Sequence, residues 1–271
     1  MRNTFKLGDF LSEYDELREP TKRDKIIRDE DYKKAWLGVL DTKTIEALET
    51  LKRRKIIGEL GWIISTGKEA DVFYARAPNG DELAVKIYRI HTSGFRNIDI
   101  YVMGDRRFSR ARSPLKAKWS WARREFKNLK RAKRVGVNVP TPISVYRNIV
   151  VMEFIGENGI PARLLKDIDD LINPQKTFEI LMNDIKKLYR NAKIVHADLS
   201  PFNILYHRGI PYIIDMAQGV DISHVYALKF LYRDIRNLRA FFLAYIDDIP
   251  NEEQLFYEIT GLEPNDLIKN I

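Results

Sequence analysis

The sequence predicts an α+β fold of two lobes, an antiparallel sheet lobe with one long helix followed by a short, mainly helical lobe. Three observations predict it. Strand-length apolar runs crowd residues 61 to 88 and are broken by Pro78-Asn79-Gly80-Asp81, a hairpin turn signal. Leu115, Trp119, Ala122, Phe126 and Leu129 step by four, three, four and three, one apolar stripe down a helix whose other faces are basic. Beyond a linker from Gly156 to Pro161 the pattern is helical except for two short strand-like runs. With 271 residues, 45% of them apolar and 11% aromatic, the chain can bury a core despite 31% charge.

Taken in order, residues 1–57 read as an N-terminal arm and helical extension. The first thirty are charge-dense and weakly periodic, a mobile arm, and 31–57 read as helix, with Ile45, Leu48 and Leu51 at helical spacing. Residues 58–156 form the first lobe. Its strands are Trp62-Ile63-Ile64, Val72 to Ala75, Leu83 to Tyr88 and Ile149 to Phe154, and Gly136 ends the basic helix. Residues 91–114 lack a clean period and hold Gly94, Gly104 and Pro114, so a loop joins the third strand to that helix. Residues 157–271 form the second lobe: a helix over 174–192, strand-like runs at Ile204-Leu205-Tyr206 and Tyr212-Ile213-Ile214, and helices from about 224 onward.

The absence of cysteine excludes a disulfide scaffold, a thiolate zinc site and a thiol nucleophile. The first twenty residues carry Arg2, Lys6, Asp9, Glu13, Asp15 and Glu16 without an apolar core, and no apolar run approaches a membrane span, so the expectation is a soluble cytoplasmic protein. Formal charge is +8, and it is local: Arg106 to Arg134 hold thirteen Lys/Arg against one acid, Glu125, leaving the rest of the chain at −4. Such a segment attracts phosphates. Trp119 lies on the apolar stripe, which leaves Trp121 as the residue expected to stack on a base.

The chemistry concentrates in His196-Ala197-Asp198-Leu199-Ser200-Pro201-Phe202-Asn203, followed twelve residues after Asn203 by Asp215 at the end of an apolar run. Phosphoryl transfer needs a carboxylate to orient or deprotonate the attacking hydroxyl and oxygen ligands to hold Mg²⁺ against the phosphates. Asp198 suits the first role, Asn203 and Asp215 the second. A hairpin between the two strand-like runs would bring Asn203 and Asp215 side by side. Asp215, as a carboxylate near the γ-phosphate, could also accept it as an acyl phosphate. Alone, Lys86 in Ala84-Val85-Lys86-Ile87 would read as a snorkelling edge-strand lysine. Beside the Asp198 group it reads as the phosphate-binding lysine, with Glu125, next to Phe126 on the stripe, turned inward as its partner. A Walker A loop is excluded, because it would need Gly at 62 and Ser or Thr at 69, where Trp62 and Glu69 stand.

On these residues the stretch from about Asp41 to Phe242 resembles a RIO-type atypical serine/threonine kinase. The matching motifs are the turn Ser65-Thr66-Gly67-Lys68-Glu69-Ala70, the strand Ala84 to Tyr88, Glu125, the hinge Met152-Glu153-Phe154-Ile155, the loop His196 to Asn203, and Ile214-Asp215-Met216-Ala217-Gln218. The resemblance implies a two-lobed protein-kinase-like fold without a typical activation segment. It also implies ATP with Mg²⁺, or Mn²⁺ as a substitute. Asp198 would be the catalytic base, Asn203 and Asp215 the metal ligands, Lys86 the phosphate lysine, the Ser65 to Ala70 turn the phosphate cover, and the backbone of Glu153 and Ile155 the adenine contacts. Too few residues precede Ser65 for a winged-helix domain, which points to the Rio-one branch; Val225 departs from that branch's usual Pro. Ala197 replaces the arginine of H-R-D, and Ser200 replaces a lysine near the transferring phosphate, so slow peptide phosphorylation is expected. Autophosphorylation at Thr92, Ser93, Ser109 or Ser113, or ATP hydrolysis, would then be a main output. By resemblance the partner is the maturing small ribosomal subunit, met through RNA contacts of Arg106 to Arg134. A small-molecule phosphotransferase of aminoglycoside-kinase type and an RNA-binding pseudokinase are the alternatives.

Overall fold

The computed structural model describes residues 41–89 and 114–263, with side chains in the second segment from Trp119 onward. The first arm, the Thr92 to Ser113 hydroxyls and the basic residues before 114 lie outside the described residues. Helix α1 spans Thr42–Arg53, and Asp41 caps it by accepting the Thr44 N–H at 2.7 Å. The helix expected to reach residue 57 stops earlier for a local reason. Lys55 takes φ of 57°, its N–H donates to the Lys52 carbonyl, and the Ile56 N–H donates to the Leu51 carbonyl, a Schellman closure.

Strands β1 (Glu59–Thr66), β2 (Ala70–Arg76), β3 (Glu82–Tyr88), β4 (Pro142–Tyr146) and β5 (Ile149–Glu153) form one sheet in the order β1-β2-β3-β5-β4, every pair antiparallel. Alternation along β3 serves both faces. Leu83, Val85 and Ile87 share a core with Ala47, Leu48 and Leu51 of α1, while Ala84 and Tyr88 belong to the core on the opposite face. Lys86 therefore faces away from α1, toward helix α2, Pro114–Arg134. Gly136 follows α2 at φ of 74°.

The apolar face of α2 is wider than the stripe that predicted it. Trp121, expected among the solvent-facing cations, is 3% exposed and packs in the core with Ala122, Leu129 and Ala132. The reason is that α2 is covered twice, by the sheet and by the loop after Asp215. Trp121 is thus no stacking residue. The Gly156 to Pro161 linker is itself paired, β6 (Gly156–Glu157) against β7 (Ile160–Pro161). Gly159, at φ of 75°, donates its N–H to Glu82 Oε1 at 2.6 Å and sits where a Cβ would come within 2.7 Å of the Trp62 ring.

The second lobe begins with β8 (Arg163–Leu164) and helix α3, Pro174–Lys187, which continues through a π turn over Leu188–Ala192. Strand β9 (Ile194–Val195) pairs with β12 (Val220–Asp221). Between them β10 (Ile204–His207) and β11 (Ile210–Ile213) form the expected hairpin, with β8 on the outer side of β10. Helices α4 (Ala227–Phe242) and α5 (Glu252–Thr260) close the lobe, α5 opening on an Asn251/Gln254 capping box. Among the described residues no helix is long and apolar enough to cross a membrane.

Candidate active site

The cleft is built around Lys86. Its Nζ donates to Glu125 Oε1 at 2.8 Å and to Asp215 Oδ1 at 2.9 Å, so one ammonium joins β3, α2 and the loop after β11. Tyr88, two residues along the same face of β3, donates its hydroxyl to Glu125 Oε2 at 2.5 Å. Both oxygens of Glu125 are thereby satisfied, as a carboxylate 1% exposed requires. Burial works against the Lys86 charge, but Asp215 and Glu125 outweigh it and raise its pKa. Burial pushes Glu125 up against the pull of Lys86, and pushes Tyr88 well up with the Glu125 charge adding to it, so the phenol stays a donor. Asp215 lies deep in the cleft yet keeps 47% of its side chain open there; against the penalty of that depth, Lys86 holds its carboxyl below the ordinary range.

The loop from His196 to Asn203 is fixed from beneath. Burial lowers the pKa of His196, leaving a neutral ring whose Nε2–H donates to the Ile214 carbonyl at 2.9 Å while Nδ1 accepts the Asp198 N–H at 3.3 Å. Ala197 adopts φ of 67°. Its N–H and that of Leu199 donate to the two oxygens of Asp234 on α4, at 2.8 and 3.0 Å, and its carbonyl accepts from Arg233. Asp234 is 1% exposed, and burial pushes its carboxyl up to about 8 in spite of those two donors. Asp198 itself points into the open cleft; partial burial raises its carboxyl, opposed by the Arg233 charge and the Asn203 amide.

Asn203 and Asp215 meet at the open end of the β10–β11 hairpin, where the Ile214 N–H donates to the Asn203 carbonyl at 3.0 Å. The Asn203 amide spends its Nδ2 on the Asp198 carbonyl at 2.8 Å, with Oδ2 of Asp198 at 3.4 Å, which leaves its Oδ1 as a ligand atom. Among the described residues no group of three His, Cys, Asp or Glu could cage an ion. A pair of open oxygen donors beside a held cation does fit Mg²⁺, which completes its shell from phosphates and water.

Ser65 and Thr66 end β1, and Gly67 and Lys68 turn the chain into β2, all four exposed; the turn is closed by the Gly67 N–H on the Ala70 carbonyl at 3.0 Å, and the Glu69 carbonyl accepts the Arg89 N–H. At the hinge the Glu153 N–H is spent on the Thr141 carbonyl, and the Ile155 carbonyl accepts from Ala162. Of the backbone groups that the resemblance assigns to adenine, the Glu153 N–H and the Ile155 carbonyl are therefore already bonded. Sequence reasoning missed Asp234, Tyr88, Arg124 and Asn128. For Asp234 the signal was there: it is a lone acid on the apolar face Phe230, Leu231, Ile235, Leu238 of α4, the same pattern that singled out Glu125.

A RIO domain model matches residues 71–255. A RIO-type serine/threonine-protein kinase Rio1 of Haloferax volcanii is 39% identical over 241 residues, covering 89% of this chain and 82% of that protein. The corresponding protein of Methanocaldococcus jannaschii is 37% identical over 265 residues, 96% of this chain and 90% of its own length. Human serine/threonine-protein kinase RIO1 is 38% identical over 228 residues, 82% of this chain but 40% of that protein. In fold, the chain matches a crystal structure of a Rio2 kinase–ADP/Mg²⁺–phosphoaspartate complex from Chaetomium thermophilum, with a TM-score of 0.62 at 23% identity over 85% of this chain and 75% of that one.

Proposed function

This chain belongs to the RIO-type serine/threonine-protein kinases, in the Rio1 group, and we propose that it transfers the γ-phosphoryl group of ATP to serine or threonine hydroxyls with the residues assembled around Lys86 and Asp198. One observation carries the proposal. Lys86, held by Glu125, is bonded to Asp215, and Asp215 lies beside Asn203, whose amide is bonded to Asp198, so phosphate-binding and hydroxyl-activating groups converge on one space.

Lys86 presents its ammonium to phosphate oxygens, and Glu125 with Tyr88 keeps it from turning away. The turn from Ser65 to Ala70 covers the phosphates with backbone N–H groups, and the Glu153 carbonyl and Ile155 N–H bind the adenine edge. Asn203 and Asp215 would hold Mg²⁺, which would supply positive charge to offset the charge developing on the phosphates. Asp198, as its anion, accepts the hydrogen of the acceptor hydroxyl and orients its oxygen for attack. Mn²⁺ suits the same oxygen donors.

The openness of Asp215 favours a second output. With half of its side chain facing the cleft and its charge held by Lys86, its carboxylate can attack the γ-phosphorus, forming an acyl phosphate as the bond to ADP breaks; water then releases phosphate, giving net ATP hydrolysis. The Rio1 likeness supports action in small ribosomal subunit maturation, with the basic segment meeting RNA and autophosphorylation falling between Thr92 and Ser113. Within the described part of that segment, Arg123, Lys127, Lys130 and Arg134 lie exposed along one ridge of α2, spaced to meet successive phosphates.

Asp198→Ala tests the assignment: in single turnover with labelled ATP, transfer to hydroxyl acceptors should vanish while nucleotide affinity stays near wild type. Retention of a tenth of the rate removes Asp198 from the role. Hydroxylamine-labile label that disappears in Asp215→Asn supports the acyl phosphate, and label confined to Ser and Thr rejects it.

A further inference from the structure

Helix α2 carries a second function besides presenting Glu125. Arg124, Asn128 and Arg131, spaced by four and three, form one ridge of donors facing the second lobe, and each reaches backbone carbonyls there. Arg124 donates from Nε and Nη2 to the Gly219 carbonyl at 3.1 and 2.9 Å, and from Nη2 to that of Gln218 at 3.3 Å. Asn128 donates from Nδ2 to the carbonyls of Met216 at 2.8 Å and Gly219 at 3.0 Å. Arg131 reaches the Ala192 carbonyl at 2.6 Å, that of Lys193 at 3.2 Å and Asp221 Oδ2 at 3.3 Å.

The first two hold the segment that carries Asp215. Asp215 sits at φ of 60° and leads into a single 3-10 turn, Met216–Gln218, closed by one internal bond from the Gly219 N–H to the Met216 carbonyl at 3.2 Å. So short a turn has little stiffness of its own. Arg124 and Asn128 are 4% and 0% exposed, so their bonds form where water does not compete. Gly219 lets them approach, since a Cβ there would stand 2.9 Å from Asn128 Nδ2. Asn128 Oδ1 is buried without a hydrogen-bond partner, which shows the amide serving as a donor to the loop at the expense of its own acceptor. Glu125, adjacent to Arg124 and one turn before Asn128, meanwhile binds Lys86. One turn of α2 thus sets both ends of the Lys86–Asp215 contact.

We infer that Arg124 and Asn128 are positioning residues for Asp215: by gripping the carbonyls of residues 216 to 219, they fix the backbone from which Asp215 offers its carboxylate to a divalent cation. The inference rests on the metal role proposed above for Asp215. The test uses the full chain with Mn²⁺ and a non-hydrolysable ATP analogue, read by electron paramagnetic resonance, together with hydrogen exchange of the Ala217 and Gly219 amides in the nucleotide-free protein. Asn128→Ala and Arg124→Ala should each weaken Mn²⁺ binding about tenfold, the low end of what losing an outer partner costs a metal site, and speed exchange at both amides. Arg124→Lys, which keeps a donor, should recover most of the affinity. Arg131→Ala is the control on the same ridge: it should lower the melting temperature and leave Mn²⁺ affinity at the wild-type value. Unchanged Mn²⁺ affinity and exchange in Arg124→Ala, or an equal loss in Arg131→Ala, overturns the inference, and these arms decide it even where Asn128→Ala does not fold. If the wild-type protein binds no Mn²⁺ with the analogue, the metal role of Asp215 fails, whereas the exchange arm still decides whether α2 holds the loop.

Discussion

Replacing Lys86 by Met should do more to stability than to shape, and the cost is set by Glu125. The substitution keeps the length of the side chain and removes the cation between two carboxylates. Asp215 is open to the cleft and regains water, but Glu125 is 1% exposed and keeps only the Tyr88 hydroxyl. A stranded buried carboxylate escapes by taking a proton. From an ordinary pKa near 4.3, that costs about 3.7 kcal/mol at pH 7 and about 1 kcal/mol at pH 5. The loss in Lys86→Met should therefore approach 3 to 4 kcal/mol at pH 7, in the range for breaking a buried pair from one side, and shrink to about 1 kcal/mol at pH 5. The sign follows from linkage: in the variant the folded state holds a proton that the unfolded state releases, so relative stability falls as pH rises. Glu125→Gln in the same background removes the charge that caused the loss, so the double variant should be more stable than Lys86→Met alone at pH 7 by about 2 kcal/mol. Urea unfolding with linear extrapolation at both pH values reads all of this. A loss equal at pH 5 and pH 7, or a double variant that loses the sum of the two singles, refutes the reasoning.

Asp234→Ala leaves the Ala197 and Leu199 N–H groups buried without an acceptor and should cost about 2 to 6 kcal/mol in urea unfolding, with Asn, which retains one acceptor, losing less; a change under about 1 kcal/mol contradicts the loop anchor. Because burial raises the Asp198 carboxyl and transfer needs its anion, kcat/KM should fall with decreasing pH through a pKa above the ordinary value near 3.9, while Asp215, held low by Lys86, does not set that limb; a limb at or below about 3.9 counts against Asp198 as the group observed.

How far the sequence could be read depended on whether a residue's surroundings were local. Glu125 was legible as inward-facing because it is the lone acid among thirteen cations and neighbours the apolar stripe, and it is buried. The meeting of Asn203 and Asp215 was legible because a short hairpin fixes it within a dozen residues. Strand β4 was not, since Pro140 and Pro142 interrupt the pattern that announces a strand. Trp121 misled for another reason. Periodicity shows that a helix has an apolar face but not how many neighbours cover it, and the second cover of α2 arrives from residues some ninety positions later. Arg124 and Asn128 escaped notice on the same ground: a donor whose partners are distant backbone carbonyls leaves no trace in side-chain spacing. The Asp71–Arg89 pair, two bonds of 2.6 Å on a carboxylate without exposed surface, joins residues eighteen positions apart and has no signature in residue spacing.

The pinned hairpin after the hinge decides where the molecule can bend. Phe154 is tied to Glu82 through its N–H, Gly159 to the Glu82 side chain and to the underside of Trp62, and β6 to β7, so residues 154 to 161 travel with the sheet. Arg163 and Leu164 are already paired with β10 and travel with the other half of the protein. Between the sheet-bound hairpin and β8 the main chain has one residue, Ala162, which follows a proline whose φ is locked and is itself tied by its N–H to the Ile155 carbonyl at 2.9 Å. Any change of cleft width at this edge has to be taken up by the few bonds between Ala162 and Arg163, beyond residues 152–155 rather than within them. The backbone from Glu153 to Ile155 would keep its spacing through such a change.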